Sequence, residues 1–277
     1  MISGKTRLIA HIGYPTDSFK APMIYNPWFE KAGVDAVVVP MGVRGEDFAT
    51  SFDAIFRFSN IHGALITMPH KVSVVERLDE VTPTVKIAGS CNAVLKRADG
   101  TLLGDMFDGE GFVRGVKRKG RKLDGARVLV VGCGGVGSAI AASMAAAKIA
   151  GIGLYDASDT SAKALGARLS KEYPKIEVTT GSNDPAGWDV VVNATPLGMK
   201  AGDPMPMDVS RIASTTFVGE VVMKQEMTAF LEAADARGCQ YQIGTDMLFE
   251  QIPAYLEFFG FPSTTADDLR KVAKIAY

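Results

Sequence analysis

Short apolar runs alternate with helix-like segments from the start of the chain. Residues 8–12, 36–40 and 63–67 are apolar or β-branched runs that predict strands, and 36–40 has the composition of a buried parallel strand. Residues 22–32 and 46–58 carry apolar side chains at helical spacing. Strands that alternate with helices are typical of βαβ units, so this part predicts an α/β domain with a mostly parallel sheet.

The same alternation continues through the rest of the chain. A Val-rich strand covers 128–131, and an alanine-rich, strongly helix-forming segment begins at Ser138. A second strand ends at Asp156. Later strands are predicted at 176–179, 189–193 and 217–222, and later helices at 161–173, 228–237, 247–258 and 266–275.

A glycine motif joins the Val-rich strand to the following helix. Gly132, Gly134 and Gly137 have the spacing G-x-G-x-x-G of a dinucleotide-binding turn. The first glycine permits the tight turn, the second lets a pyrophosphate approach the backbone, and the third lets helix and strand pack closely. The helix N-terminus then offers N–H groups to the phosphates. The sequence therefore predicts a Rossmann domain, with a separate domain before it.

The acidic residue at the end of the second strand indicates which dinucleotide binds. The carboxylate of Asp156 can accept hydrogen bonds from the adenosine ribose hydroxyls, and it would repel a 2′-phosphate. Residues 157–161 contain no Lys or Arg to bind such a phosphate. We therefore expect NAD, with NADP disfavoured.

Composition restricts the class of protein. With 47% hydrophobic and 22% charged residues over 277 positions, the chain is globular and long enough for two domains. A net charge of −1 gives no electrostatic basis for nucleic-acid binding. Three widely spaced cysteines predict neither disulfides nor a metal site. No signal peptide and no 18-residue apolar run is evident, so we expect a cytoplasmic monomer or homodimer that acts on a small molecule without membrane or nucleic acid.

Few residues are candidates for acid–base chemistry. His11 and His62 lie in or beside strands, where a structural role is expected, and His70 is the best placed of the three histidines. Lys71 follows a strand at the carboxyl end, where ligands bind in α/β sheets. Asp108 could be a helix cap, or a carboxylate at an inter-domain cleft that pairs with a lysine; the spacing leaves both open.

Six short motifs resemble, in order, those of the shikimate dehydrogenase family. Lys71 stands at the position of the family's catalytic lysine, Asp108 at that of its catalytic aspartate, and Asn92 and Gln251 at substrate-binding positions. The motifs are Gly13-x-Pro15 with Pro22, then 63–71, 88–92, 104–109, 193–199 and 244–251.

The resemblance implies an N-terminal substrate-binding domain (1–107 and 244–277), to which the last helices return, and a Rossmann domain (108–243). It implies reversible hydride transfer between a cyclic hydroxy acid and a nicotinamide cofactor, with Lys71 and Asp108 handling the hydroxyl proton. Substrate ligands would be Thr67, Asn92 and Gln251, and Ser18 and Lys20 are candidate replacements for missing hydroxyl ligands. Cofactor ligands would be Gly132, Gly134, Gly135, Val136, Gly137, Asp156, Asn193, Ala194, Thr195 and Gly244.

The chain also departs from the family pattern. Phe19-Lys20-Ala21 replaces a segment with two hydroxyls that bind the substrate carboxylate, and Leu65, Ala93, Met106-Phe107 and Met223 replace further polar or aromatic residues. Loss of such donors weakens binding of a polyhydroxy acid, so we expect a substrate that differs from shikimate or poor use of shikimate. Two alternatives remain: an ordinary shikimate or quinate dehydrogenase in which Ser18 and Lys20 hold the carboxylate, and a regulatory module that binds NAD without catalysis.

Overall fold

Two six-stranded sheets organise the chain. The computed structural model describes residues 2–17, 19–200 and 202–274. One unit, here the first unit, runs to Phe107 and resumes at Ile252; the second unit is Asp108–Gln251. Each sheet belongs to one unit.

The sheet of the first unit is mixed. The elements of this unit are β1 (Arg7–Gly13), α1 (Ala21–Ala32), β2 (Ala36–Gly42), α2 (Phe48–Ile55), β3 (Ile61–Ile66), β4 (Glu80–Val81), α3 (Pro83–Ala88), β5 (Ala93–Lys96) and β6 (Leu102–Asp105). The strand order is β2-β1-β3-β5-β6-β4, with β1 parallel to β2 and β3, and β5 antiparallel to β3 and β6.

Two features of this sheet differ from the sequence prediction. Strand β2 is parallel, as predicted, but it is a partly exposed edge strand rather than a buried one. Pro40 explains why an edge suits it, because proline has no N–H to donate to a second neighbour. The antiparallel hairpin β5–β6 was not predicted, since its strands have only four residues each.

The sheet of the second unit is fully parallel. The elements of this unit are α4 (Asp108–Arg118), β7 (Arg127–Val131), α5 (Gly135–Ala146), β8 (Gly151–Tyr155), α6 (Asp159–Glu172), β9 (Glu177–Thr180), β10 (Val190–Asn193), β11 (Phe217–Glu220), α7 (Ala229–Ala236) and β12 (Tyr241–Gln242). The strand order is β12-β11-β10-β7-β8-β9. Strands β7 and β10 are the central neighbours where the chain reverses its direction of strand addition, which is where ligands bind in such sheets.

Two helices close the chain, α8 (Gly244–Phe258) and α9 (Ala266–Val272). The last residues return to the first unit: the N–H of Lys274 donates to Met23 O at 2.9 Å, and the rings of Phe29 and Phe261 lie 5.1 Å apart. Helix α9 ends before the predicted 275, and that residue lies outside the described ones. The predicted α/β class, with a Rossmann-type second unit and returning helices, is confirmed.

Candidate functional site

The glycine motif of the second unit forms the turn between β7 and α5. Gly132 has φ +103°, a conformation that favours glycine, and its N–H donates to Tyr155 O at 2.7 Å. A Cβ at Gly137 would collide with the carbonyl oxygen of Gly132. A Cβ at Gly134 would meet nothing within 4 Å, so this side of the turn is open. We call residues 132–137 the glycine loop.

Helix α5 begins within this loop, at Gly135. The N–H groups of its first turn, which include those of Gly135, Val136 and Gly137, have no carbonyl of a preceding helical turn to bind. They lie at the positive end of the helix dipole, which favours an anionic group. The glycine loop therefore has the space, the donors and the field that a pyrophosphate requires.

Asp156 lies directly after β8 and is tied to the glycine loop. Its Oδ2 accepts a hydrogen bond from the Cys133 N–H at 2.7 Å, and its Oδ1 accepts one from the Ser158 N–H at 2.8 Å. A carboxylate has further lone pairs, which can accept ribose hydroxyls. Burial, aided by the charge of Asp156, raises the pKa of the Cys133 thiol to about 12, so this cysteine stays protonated and unreactive.

A cation near this loop was missed by the sequence analysis. The charge of Arg168, on α6, acts on Cys133 and partly offsets the rise in the pKa of its thiol. Arg168 lies beyond residues 157–161, the five positions that the sequence offers directly after Asp156 for a phosphate-binding cation. It lies twelve residues after Asp156 on α6, so spacing along the sequence gave no sign of its effect.

The loop after β10, residues 193–198, is held by a network centred on Asn193. The side-chain Nδ2 of Asn193 donates to Leu197 O at 3.0 Å and to Glu220 Oε1 at 2.9 Å. Its Oδ1 accepts from both the N–H (3.1 Å) and the hydroxyl (2.6 Å) of Thr195. Asn193 is fully buried, so it shapes the loop, while Ala194 and Thr195 are half-buried and Pro196 is exposed.

Glu220 completes this network and was also missed. The carboxylate, at the end of β11, accepts hydrogen bonds from Asn193 and from the hydroxyl of Thr228, which caps α7. Burial raises the pKa of Glu220, while these two hydrogen bonds lower it. An acidic residue ending an apolar strand could have suggested a buried acceptor.

Three predicted residues lie at helix positions of the second unit. Asp108 is the first residue of α4 and is 5% exposed; its roles as a cap and as a carboxylate that pairs with a lysine both stay predictions. Gly244 begins α8 so close to Val222 that a Cβ would collide with the Val222 carbonyl oxygen. Gln251 lies on α8 and packs against Gly111. Its side-chain Oε1 is buried without a hydrogen-bond partner among the described residues.

In the first unit, Thr67 and Lys71 follow β3. The N–H of Thr67 donates to Ile12 O at 2.9 Å, and its carbonyl accepts from the His70 N–H at 2.9 Å. The carbonyl of Lys71 accepts from the Cys91 N–H at 2.8 Å, and the residue is half-buried. The backbone thus fixes where Lys71 stands at the carboxyl end of the sheet.

The other predicted substrate ligands of this unit lie on different elements. Asn92, 1% exposed, precedes β5, and its Oδ1 accepts from the Phe107 N–H at 2.9 Å. Lys20 is the N-cap residue of α1. Ser18 lies outside the described residues.

His70 does not face a crevice. It is 1% exposed, its Nε2 lies 2.7 Å from Val43 O, and its ring stacks on Phe48 at 4.2 Å. The expectation that His70 is the best placed of the three histidines for acid–base chemistry is therefore wrong, because its side chain is buried in the core.

The described residues contain neither a metal-binding cluster nor a membrane-spanning helix. Among residues 2–17, 19–200 and 202–274, no group of three His, Cys, Asp or Glu side chains is arranged to hold a metal ion. None of the described helices has the length and apolar character needed to cross a membrane.

Known proteins resemble this chain over nearly its full length. The family model "Shikimate dehydrogenase substrate binding domain" matches residues 11–94. A shikimate dehydrogenase (NADP(+)) of Paramagnetospirillum magneticum is 30% identical over 273 residues, which is 97% of this chain and 98% of the relative.

Solved structures show the same similarity. Shikimate 5-dehydrogenase of Listeria monocytogenes, in complex with shikimate and NAD, has 25% identity and a TM-score of 0.91, covering 98% of this chain and 97% of its own. Quinate dehydrogenase of Corynebacterium glutamicum, in complex with NAD, has 29% identity and a TM-score of 0.85, covering 96% and 98%.

Proposed function

This chain belongs to the shikimate dehydrogenase family, and we propose that it is an oxidoreductase that transfers a hydride between a cyclic hydroxy acid and a nicotinamide cofactor. The observation that carries the proposal is the arrangement at the centre of the parallel sheet. There the glycine loop and the loop 193–198 follow two adjacent strands, β7 and β10, as a dinucleotide site requires.

The residues of the second unit fit the cofactor. The N–H groups of Gly135, Val136 and Gly137 would hold the pyrophosphate, and the open side of Gly134 would admit it. Ala194 and Thr195, with Asn193 behind them, would contact the nicotinamide half, and Gly244 would let the backbone approach it. When bound, the nicotinamide supplies the hydride acceptor or donor.

We propose NAD rather than NADP as the preferred cofactor. Asp156 is already oriented by two backbone N–H groups, so its carboxylate is placed for ribose hydroxyls and against a 2′-phosphate. Two observations oppose this preference: the relative from P. magneticum is named for NADP(+), and Arg168 lies near the loop. The two cofactors therefore have to be compared directly.

Lys71 and Asp108 form the proposed proton-handling pair. The Nζ of Lys71 would take the proton of the substrate hydroxyl as the hydride leaves and return it in the reverse reaction. The role given to Asp108 is to accept a hydrogen bond from the Nζ of Lys71 and so orient it.

The substrate would be bound mainly by uncharged groups. Thr67, Asn92 and Gln251 offer hydroxyl and amide groups, and the buried, unpartnered Oε1 of Gln251 supports a ligand there. Phe19 and Ala21 stand where two hydroxyls would bind a carboxylate, which leaves Lys20 and Ser18 as replacements. We therefore propose a substrate related to shikimate or quinate but less dependent on carboxylate recognition.

The test is a turnover assay with shikimate, quinate and less polar cyclic hydroxy compounds, each with NAD and with NADP. The proposal predicts nucleotide reduction with at least one compound, faster with NAD. Robust shikimate turnover at a micromolar KM would instead indicate an ordinary shikimate dehydrogenase. Nucleotide binding without turnover of any compound would indicate a regulatory module.

A further inference from the structure

The three histidines of the chain differ in how their ring nitrogens are used. The Nε2 of His62 lies 2.7 Å from Phe259 O, and that of His70 lies 2.7 Å from Val43 O. In contrast, the Nδ1 of His11 is buried without a hydrogen-bond partner among the described residues. Native proteins rarely keep such an atom unless a ligand or a water completes it. His11 therefore differs from two histidines whose role is structural.

The surroundings of His11 place it among the candidate substrate ligands of the first unit. It lies near the carboxyl end of β1, opposite Leu65 of β3, and is 8% exposed. The ring of Phe19 stacks on its imidazole, with centroids 4.0 Å apart and planes inclined by 28°. The same phenyl ring covers Gly13, where a Cβ would lie 2.9 Å from Phe19 Cζ.

Lys71 is the charged group that acts on this imidazole. Burial, and then the positive charge of Lys71, lower the pKa of His11 to about 4. The histidine is therefore neutral at physiological pH and offers one N–H and one lone pair. A neutral imidazole suits a hydroxyl or carbonyl oxygen, whereas a carboxylate is bound best by charged donors.

We propose that His11 is a specificity-determining residue that exchanges a hydrogen bond with an uncharged hydroxyl or carbonyl oxygen of the substrate, beside Lys71. Phe19 holds the imidazole in its plane and supplies an apolar wall next to it. This inference rests on the proposed function, because it takes Lys71 to stand at the reacting hydroxyl. It adds the statement that His11 does not bind a carboxylate.

The first experiment separates substrate contact from a structural role. His11→Leu removes both ring nitrogens at similar bulk, and His11→Gln restores a neutral donor and acceptor. Using the compound with the fastest turnover in the panel, we expect KM to rise about tenfold in His11→Leu with little change in kcat, because a net hydrogen bond is worth about that factor. His11→Gln should recover most of the loss. His62→Gln, which changes a histidine bound to a backbone carbonyl, serves as control and should leave KM unchanged.

The second experiment asks which substrate oxygen is contacted. Shikimate and its methyl ester differ in charge only at the carboxyl group. If His11 contacts a hydroxyl or the carbonyl, His11→Leu weakens binding of both compounds by the same factor, whether measured by turnover or by inhibition of the preferred substrate. A loss confined to the acid would assign His11 to the carboxylate and overturn the inference.

The outcomes distinguish the two proposals. Unchanged KM in His11→Leu, with turnover still abolished by Lys71→Ala, would reject the role of His11 and leave the dehydrogenase standing. Absence of turnover in the unmodified protein would reject the dehydrogenase itself. The melting temperature of each variant, followed by circular dichroism, shows that the fold is retained; if His11→Leu does not fold, His11→Gln against His62→Gln decides the question.

Discussion

The carboxyl ends of the two sheets offer different chemical groups to the ligands that we propose. In the second unit, the glycine loop offers backbone N–H groups at the start of α5 and open space beside Gly134. In the first unit, the candidate contacts are the side chains of Lys71, Thr67 and His11. The buried Nδ1 of His11, which lies under Phe19, has no hydrogen-bond partner among the described residues. A substitution in the first unit can therefore change the substrate without moving a strand, whereas a substitution in the glycine loop changes the backbone fit itself.

The largest expected effect concerns the side-chain chemistry of the first unit. Lys71→Ala should lower kcat by about 10²–10⁴-fold, the usual range for loss of a general acid–base group. The Kd for the nucleotide should stay unchanged, because the proposed nucleotide site consists of residues of the second unit. Lys86→Ala, on the exposed side of α3, is the matched control. Retained turnover in Lys71→Ala would refute the proposed mechanism.

Two glycine variants probe the backbone character of the second unit. Gly137→Ala places a Cβ against the carbonyl of Gly132, so both the melting temperature and nucleotide affinity should fall, with a destabilisation of about 1–3 kcal/mol. Gly134→Ala meets no protein atom within 4 Å, so the melting temperature should hold while nucleotide affinity drops. Calorimetry measures both quantities. Unchanged affinity in Gly134→Ala would show that the pyrophosphate lies elsewhere.

Lowering the pH should decrease the free energy of unfolding, because His11 is buried in its neutral form. The unfolded chain takes up a proton at the ordinary value of 6.5, but folded His11 takes it up only at about 4. Between these values the unfolded state binds more protons, so the free energy of unfolding decreases as the pH falls, by at most about 3 kcal/mol.

Urea unfolding at about pH 5 and about pH 7 measures this loss. The loss should be smaller in His11→Gln, which cannot take up the proton, and unchanged in His62→Gln. An equal loss in the unmodified protein and in His11→Gln would show that other groups cause it.

The smallest effect concerns the proposed preference for NAD. Asp156→Asn removes the charge that we propose faces the ribose, so the preference for NAD over NADP, taken as a ratio of kcat/KM, should fall by about tenfold. Asp159→Asn, which changes an exposed carboxylate paired with Lys163, is the control. If Arg168→Ala abolishes NADP use while Asp156→Asn leaves the ratio unchanged, the cation rather than the carboxylate sets the preference.

Local patterns explain what could be predicted from the sequence. The placement of the glycine loop between β7 and α5 followed from three local patterns, each of which lies within a few residues. These are the Val-rich strand, the glycine spacing and the alanine-rich helix. The alternation of strands and helices likewise predicted a mostly parallel sheet, as the order β2-β1-β3 and the strands of the second unit show. The roles of Lys71, Asp108 and the other site residues stay predictions.

The missed features depend on contacts that are distant in sequence. Whether β2 lies at an edge is decided by which strands pair beside it, and the hairpin β5–β6 is stabilised by its place between β3 and β4. The inward turn of His70 depends on Val43 and Phe48. The charge of Arg168 near the glycine loop and the partners of Glu220 likewise come from tertiary packing, which no spacing rule records.

Because of the hydrogen bonds around Asn193, we expect the loop after β10 to be ordered before a nucleotide binds. Because this chain's own amide, hydroxyl and carboxylate groups already hold the loop after β10, an arriving nucleotide would meet a preorganised surface and would not have to order it. The amide hydrogens of Thr195 and Leu197, bonded within the loop at 3.1 Å each, should therefore exchange slowly with solvent before any nucleotide is added.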